Sequence, residues 1–282
     1  MQTSHTERLW TPWRMNYVGG GTKESGCIFC NRLQRSNDVE SLILHRAANS
    51  FVIMNLFPYN TGHIMLVPNQ HASDPGELSP ETLAEIGMQL PTLTNALRMA
   101  FACHGFNVGL NIGAIAGAGV EAHLHQHIVP RWQGDANFMP IIASTMTIPE
   151  LIPVTYAKIR AELTRELTGV AFARFVLLDD ATGKVLLHDG QVPRAVLNAD
   201  TPVLQAIFQS LPSGVTGVQL AGWAGPEYAG DPHEDDIVLT LVGTVGRSLS
   251  AGWEPVALAD LDPDGEVGML ANRAISQRAP AR

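Results

Sequence analysis

"EAHLHQHIVPRW", Glu121–Trp132, sets His123, His125 and His127 at alternate positions, three of only ten histidines in a chain of 282 residues. Alternate residues of a β-strand share a face, so a strand here would hold the three rings in a row with steps of about 6.5–7 Å. Leu124, Gln126 and Ile128 would face the other way. The glycine-rich turn "GAIAGAGVE" precedes the row, and "FNVGLNIG" before that turn reads as its partner strand. Upstream, "LILHRAANSFVIMN" and "HIMLVP" read as two strands around the turn "LFPYNTG". Between the strand pairs, "ELSPETLAEIGMQLPTLTNALRMAFACHG" has helical spacing, with Ser79 as N-cap and Pro80 in the first turn, while Pro91 predicts a kink or break. The order strand, strand, helix, strand, strand specifies an α+β unit, an antiparallel sheet with packed helices.

A second helix is expected over "PELIPVTYAKIRAELTREL", ending near Thr168-Gly169, and the domain boundary is placed there, giving domains at 1–168 and 169–282. Beyond it, "FARFVLLDD", "ATGK" and "VLLHDG" read as a hairpin and "DDIVLTLVGTV" as a later strand, so this half is expected to be an α+β accessory domain.

Composition narrows the function. A hydrophobic content of 45% can supply a core, and the net charge of -9 gives no general attraction to nucleic acid. The N-terminal stretch lacks a basic start followed by an apolar run, and no run of about 18 apolar residues occurs, so a cytoplasmic protein without membrane association is expected. Three cysteines are too few for a disulfide framework, and Cys103 is expected in a core.

Three chemistries suit the histidine row. It can be the wet side of a half-exposed strand, or a metal site, although three same-face positions are too spread for one tetrahedral ion. It can also carry nucleophilic catalysis at phosphorus, where a neutral imidazole nitrogen attacks a phosphate and neighbouring rings donate hydrogen bonds and carry protons. Cys27 and Cys30, in "GCIFCN", can be a redox pair, a buried unpaired pair, or half of a zinc site, and the βα context of a thioredoxin-like redox site is missing.

Together with "LWTPWRMNYV", "CIFC", "NLFPYNTGHIMLVP" and "IPELIPVTYAKIRAEL", the motif "HLHQHIV" resembles the histidine triad superfamily, in its bacterial branch of diadenosine tetraphosphate phosphorylases and ATP adenylyltransferases. The resemblance covers residues 8–167 and implies the histidine triad fold. It implies that His125 is the nucleophile that forms a nucleotidyl-histidine, that His127 contacts the phosphate or leaving group, and that His63 supports the triad. It further implies a ribose contact at Asn55, a phosphate contact at Asn111, and a structural zinc on Cys27, Cys30, His71 and His123. The implied partners are a nucleotide or dinucleoside polyphosphate and inorganic phosphate, and the implied assembly is a homodimer. Backbone amides of Gly117, Ala118 and Gly119 can form an anion nest, though a tight turn alone also favours such glycines. Arg131 in "PRWQGDANF" is available for a polyphosphate tail. Trp10, Trp13 and Trp132 suit either a core or the enclosure of a base.

One departure matters. Small hydrolases of the superfamily carry Ser or Thr three residues before the first triad histidine, and this chain has Val120, which favours phosphorolysis over simple hydrolysis. In the second half, "ARFVLLDDATGKVLLHDG" faintly resembles the opening hairpin of a Nudix domain, without the glutamate-rich metal-binding helix that such activity requires. The acidic loop "GPEYAGDPHEDD" reads either as a solvated loop or as a cation site.

Overall fold

The computed structural model describes residues 25–117, 119–135, 150–227, 236–246 and 248–277. Trp10, Trp13, Ala118 and most of the acidic loop lie outside the described residues.

The first half contains helices α1 (Ile28–Gln34), α2 (Asp38–Ser41) and α3 (Pro80–Phe101), and strands β1 (Ile43–Arg46), β2 (Ser50–Met54), β3 (Ile64–Pro68), β4 (Gly105–Leu110) and β5 (Gln126–Arg131). All pairings are antiparallel, in the order β1-β2-β3-β5-β4. The run expected as one strand before the "LFPYNTG" turn is a hairpin, β1 and β2. The Ala47 amide donates to the Ser50 carbonyl at 2.8 Å across a short turn at Ala47–Asn49, which sequence alternation alone conceals.

Helix α3 begins as expected, with the Ser79 side chain accepting from the Thr82 amide. It then continues through Pro91 instead of breaking. Pro91 and Gly87 are both exposed, so the carbonyl that loses its partner reaches water.

β2 and β3 are buried along their whole length because both sheet faces are covered. On one face Leu44, Val52, Met54, Ile64, Leu66 and Ile128 meet Leu93 and Leu97 of α3 and Tyr156 and Ile159 of α4 (Ile152–Thr168). On the other, Ile43, Phe51, Ile53, Met65 and Val67 pack with Phe29 of α1. That second face carries the histidines.

α4 ends at Gly169, which takes φ +67° as its cap. The second half follows with β6 (Phe172–Asp179), β7 (Val185–His188), β8 (Arg194–Val196), α5 (Val203–Ser210), β9 (Val215–Trp223), β10 (Val238–Val245), β11 (Trp253–Val256) and α6 (Glu266–Gln277). The expected hairpin is β6–β7, and the expected later strand is β10, which pairs parallel with β6. The sheet order is β11-β7-β6-β10-β9, with β8 on β6. α6 covers one face through Leu270, Ala271 and Ala274. The helix after the hairpin, α5, carries no carboxylate.

α4 serves both sheets. Tyr156 Oη donates to the Ile43 carbonyl at 2.8 Å, and Arg160 reaches the Leu44 carbonyl and lies 5.9 Å from the Trp223 ring of β9. Glu162, buried and pushed up to about 7 by that burial, accepts the Val203 amide at 2.7 Å. One apolar core therefore runs from Leu44 through α4 to Phe175, Trp223 and Leu241. Among the described residues, no helix is long and apolar enough to cross a membrane.

Candidate active site and metal centre

Only His127 lies inside β5; His123 and His125 stand in the segment that leads into it. The rings nevertheless line one side. Phe29 of α1 packs against His123 at 5.4 Å and His125 at 5.1 Å between centroids, and the His125 and His127 centroids are 4.8 Å apart. Turn residues 55–62 deliver His63 just before β3. Its tightest point is Gly62, at φ +77°, where an added Cβ would meet Phe101 at 2.7 Å. Asn60 Nδ2 pins this turn to the end of β5 by donating to the Pro130 carbonyl at 3.2 Å.

Hydrogen bonds assign the tautomers. The Tyr59 amide donates to His63 Nδ1 at 3.0 Å, so the proton of neutral His63 is on Nε2. That nitrogen lies 2.9 Å from His127 Nδ1 and must donate to it, which places the His127 proton on Nε2. His127 Nε2 is buried and has no partner among the described residues. His125 Nδ1 donates to the His123 carbonyl at 2.9 Å, leaving a bare lone pair on His125 Nε2. The site thus sets an unprotonated ring nitrogen beside a ring whose buried N–H has no acceptor among the described residues.

The rings are held neutral. Burial, with the nearby His127 and His125, holds His63 down at about 3, and burial with His125 holds His127 at about 4. Burial also lowers His125, partly offset by its bond to the His123 carbonyl.

Cys27, Cys30, His71 and His123 converge, with one ligand atom from each lying within 4.8 Å of all the others. Sulfur-to-nitrogen distances are 3.3 Å for Cys27–His123, 3.3 Å for Cys30–His71 and 3.6 Å for Cys30–His123, and the two Nδ1 atoms are 3.3 Å apart. A tetrahedral zinc with ordinary bond lengths has edges of about 3.6 Å between S and N and about 3.3 Å between two N. His123 Nε2 lies 2.9 Å from the Pro68 carbonyl and donates to it, which turns a bare Nδ1 toward the thiols. Burial and the neighbouring Cys27 push the Cys30 thiol up. The four residues fit a metal ion.

Asn55 is half-buried; its Oδ1 accepts the Phe57 amide at 2.9 Å and its Nδ2 lies 3.3 Å from His63 Nδ1. Asn111 follows β4, half-buried. Gly117 caps a short 3-10 turn at φ +83°, and Gly119 follows in the same loop. Arg131 lies four residues past His127 on β5, roughly 13 Å along the strand. Its fork holds Asp135 at 2.6 and 2.7 Å, which brings that carboxyl down to about 2, and its remaining nitrogen donates to Asn107. Sequence reading missed Phe29, although it sits inside the quoted "CIFC". It also missed the Tyr59 amide and the His123 and Pro68 carbonyls, which are backbone groups without a residue-type signal.

A family model described as the HIT domain matches residues 36–134. AP-4-A phosphorylase from Mycobacterium tuberculosis is 36% identical over 172 residues, spanning 58% of this chain and 88% of that protein. The chain belongs to the histidine triad (HIT) family, on the branch that this phosphorylase represents. An adenylylsulfatase from Arabidopsis thaliana is 30% identical over 118 residues, 42% of this chain and 58% of its own length. A zinc-bound histidine triad family protein of known structure from Mycobacterium smegmatis is 24% identical, with a TM-score of 0.42, covering 51% of this chain and 98% of that one.

Proposed function

We propose that the protein is a nucleotidyltransferase that cleaves dinucleoside polyphosphates such as diadenosine tetraphosphate by phosphorolysis. The observation that carries the reading is the pairing of a bare His125 Nε2 with the His127 N–H, which has no partner among the described residues.

In this reading, His125 Nε2 attacks the α-phosphorus, forming a P–N bond as the bond to the bridging oxygen breaks and ATP departs. The His127 N–H stabilises the charge that develops on the phosphate and bridging oxygens. A phosphate oxygen then attacks the same phosphorus, the P–N bond breaks, and ADP leaves with His125 restored. Support for phosphorolysis comes from the 36% identity to the M. tuberculosis phosphorylase. Val120 adds to it by packing against the apolar cluster that includes Phe29, in place of a hydroxyl.

Asn111, Gly117 and Gly119 are proposed to face the phosphates, with Arg131 near the polyphosphate tail once that tail competes with Asp135. Zinc is the proposed occupant of the Cys27, Cys30, His71 and His123 site, where it ties α1 to the segment bearing His125 and supplies folding energy. A homodimer is proposed through β4, an edge strand with exposed Val108 and Leu110.

The test is incubation with diadenosine tetraphosphate, with and without inorganic phosphate, for the wild type and His125→Ala. Phosphate-dependent release of ADP and ATP, lost in the variant, is the expected result. AMP as the main product would replace phosphorolysis by hydrolysis. Absence of turnover with any nucleotide would reduce the protein to a nucleotide-binding module.

A further inference from the structure

The turn between β2 and β3 leaves the Tyr59 ring little choice of place. The Tyr59 amide donates to His63 Nδ1 at 3.0 Å, the next residue, Asn60, is pinned to the Pro130 carbonyl, and the His63 amide closes back on the Asn60 carbonyl at 3.2 Å. The ring is thereby laid over two histidines at once. Its centroid lies 4.7 Å from that of His63 with a tilt of 35°, and 5.5 Å from that of His127 with a tilt of 30°, which are contact distances for aromatic rings. These are the two rings joined by the 2.9 Å bond from Nε2 to Nδ1. Tyr59 is 50% exposed, while His63 against it is fully buried. We propose that Tyr59 is a positioning residue, a cover that keeps water off the His63–His127 relay and so fixes which ring nitrogen of His127 carries the proton. The kinetic consequence rests on His125 and His127 being the reacting pair, as proposed above; the exclusion of water does not.

A hydrogen bond between two neutral imidazoles keeps its direction only while each ring is the other's best partner. Water admitted beside them would compete with His63 as donor to His127 Nδ1 and would hydrate a charged His63, and either event frees the His127 proton to leave Nε2. The titratable groups that face His63 are His127 in β5, His125 ahead of it and Tyr59 in its own turn. Those that face His127 are His63, His125 and Tyr59. Burial, together with the neighbouring rings, thus sets the protonation of the pair, and the side chain that maintains the burial sets it in turn. The role calls for an apolar plate and makes no use of the hydroxyl, which separates it from a tyrosine that donates or carries a proton.

The experiment is 15N–1H NMR on full-length, zinc-loaded protein labelled in histidine, for the wild type, Tyr59→Phe and Tyr59→Ala. In the wild type the His63 Nε2 proton should exchange with water at least about 100-fold more slowly than that of free imidazole. Tyr59→Ala should speed this exchange at least about tenfold and raise the titration midpoints of His63 and His127 by about 1–2 pH units, whereas Tyr59→Phe should leave both unchanged. A wild-type proton that exchanges as in free imidazole, a Tyr59→Ala protein with wild-type exchange and midpoints, or a Tyr59→Phe protein that shifts as far as Tyr59→Ala overturns the proposal. The wild type and Tyr59→Phe decide alone if Tyr59→Ala does not fold. Where the wild type cleaves diadenosine tetraphosphate, Tyr59→Ala should lower kcat about tenfold at nearly constant KM and move the acid limb of its pH profile up by about 1 unit, with Tyr59→Phe matching the wild type. A loss of stability with the acid limb unmoved would leave Tyr59 as packing alone, and a raised KM at unchanged kcat would make it a substrate contact; both refute the cover. If the wild type turns over no nucleotide, the functional reading falls while the spectra still judge Tyr59.

Discussion

Replacing His63 with glutamine should flatten the loss of stability that the protein suffers in acid. His63 is fully buried and held down at about 3, against an ordinary value of 6.5. Between those values the unfolded chain binds a proton that the folded chain refuses. The sign is therefore fixed: this contribution is fully present above about pH 6.5 and is lost as pH falls toward 3. Each proton refused costs about 1.4 kcal/mol per pH unit below 6.5. Allowing for the partial titration near 6.5, moving from pH 7 to pH 5 removes about 2 kcal/mol through His63. His127, held at about 4, removes a similar amount in both proteins. Urea unfolding at pH 7, 6 and 5, with metal chelated in both proteins so that ligand protonation is common to them, measures the two slopes. The wild type should lose about 2 kcal/mol more than His63→Gln over that interval. Equal slopes would mean that His63 takes up its proton in the folded state, and the neutral relay would be wrong.

Gly62→Ala combines a left-handed backbone with a Cβ placed 2.7 Å from the Phe101 ring and 3.2 Å from Pro130. It should destabilise the fold by about 2–4 kcal/mol, read by denaturant melts, and an unchanged midpoint would show that the turn is not as tight as described. Prolonged chelation, or Cys30→Ser, should take the bound metal from about one zinc per chain toward none and lower Tm by about 10 °C or more. Zinc-free purified protein with the same Tm would remove the structural role of the four-ligand cluster.

What could be read in the sequence was whatever residue type and period report directly. The α+β order, the ends of α3 and α4, the β6–β7 hairpin and the Cys27–Cys30 half of the Cys/His cluster appeared in patterns of side chains, while His71 and His123 were implied by the family resemblance. The β1–β2 turn did not, because Ala47, Ala48 and Asn49 carry no glycine or proline punctuation. Pro91 misled for the opposite reason: its effect depends on whether the abandoned carbonyl can reach water, and only the tertiary structure says so. The roles of the histidines divide through backbone partners, the Tyr59 amide, the His123 carbonyl and the Pro68 carbonyl, and no residue-type pattern encodes those. Asn55 shows the same limit, since its identity suggests a polar contact but not which one.

Helix α4 offers one flank to the histidine-bearing sheet and another to the sheet of the second half, with Tyr156 and Arg160 bonded to β1 and Glu162 to the start of α5. A wall shared by two rooms cannot be removed with either of them. Truncation after Thr168 would strip from α4 the buried second-half layer that includes Trp223, Leu239 and Leu241. The two halves should therefore melt together as one cooperative unit, and changes far out in the second sheet should be felt as stability by the triad.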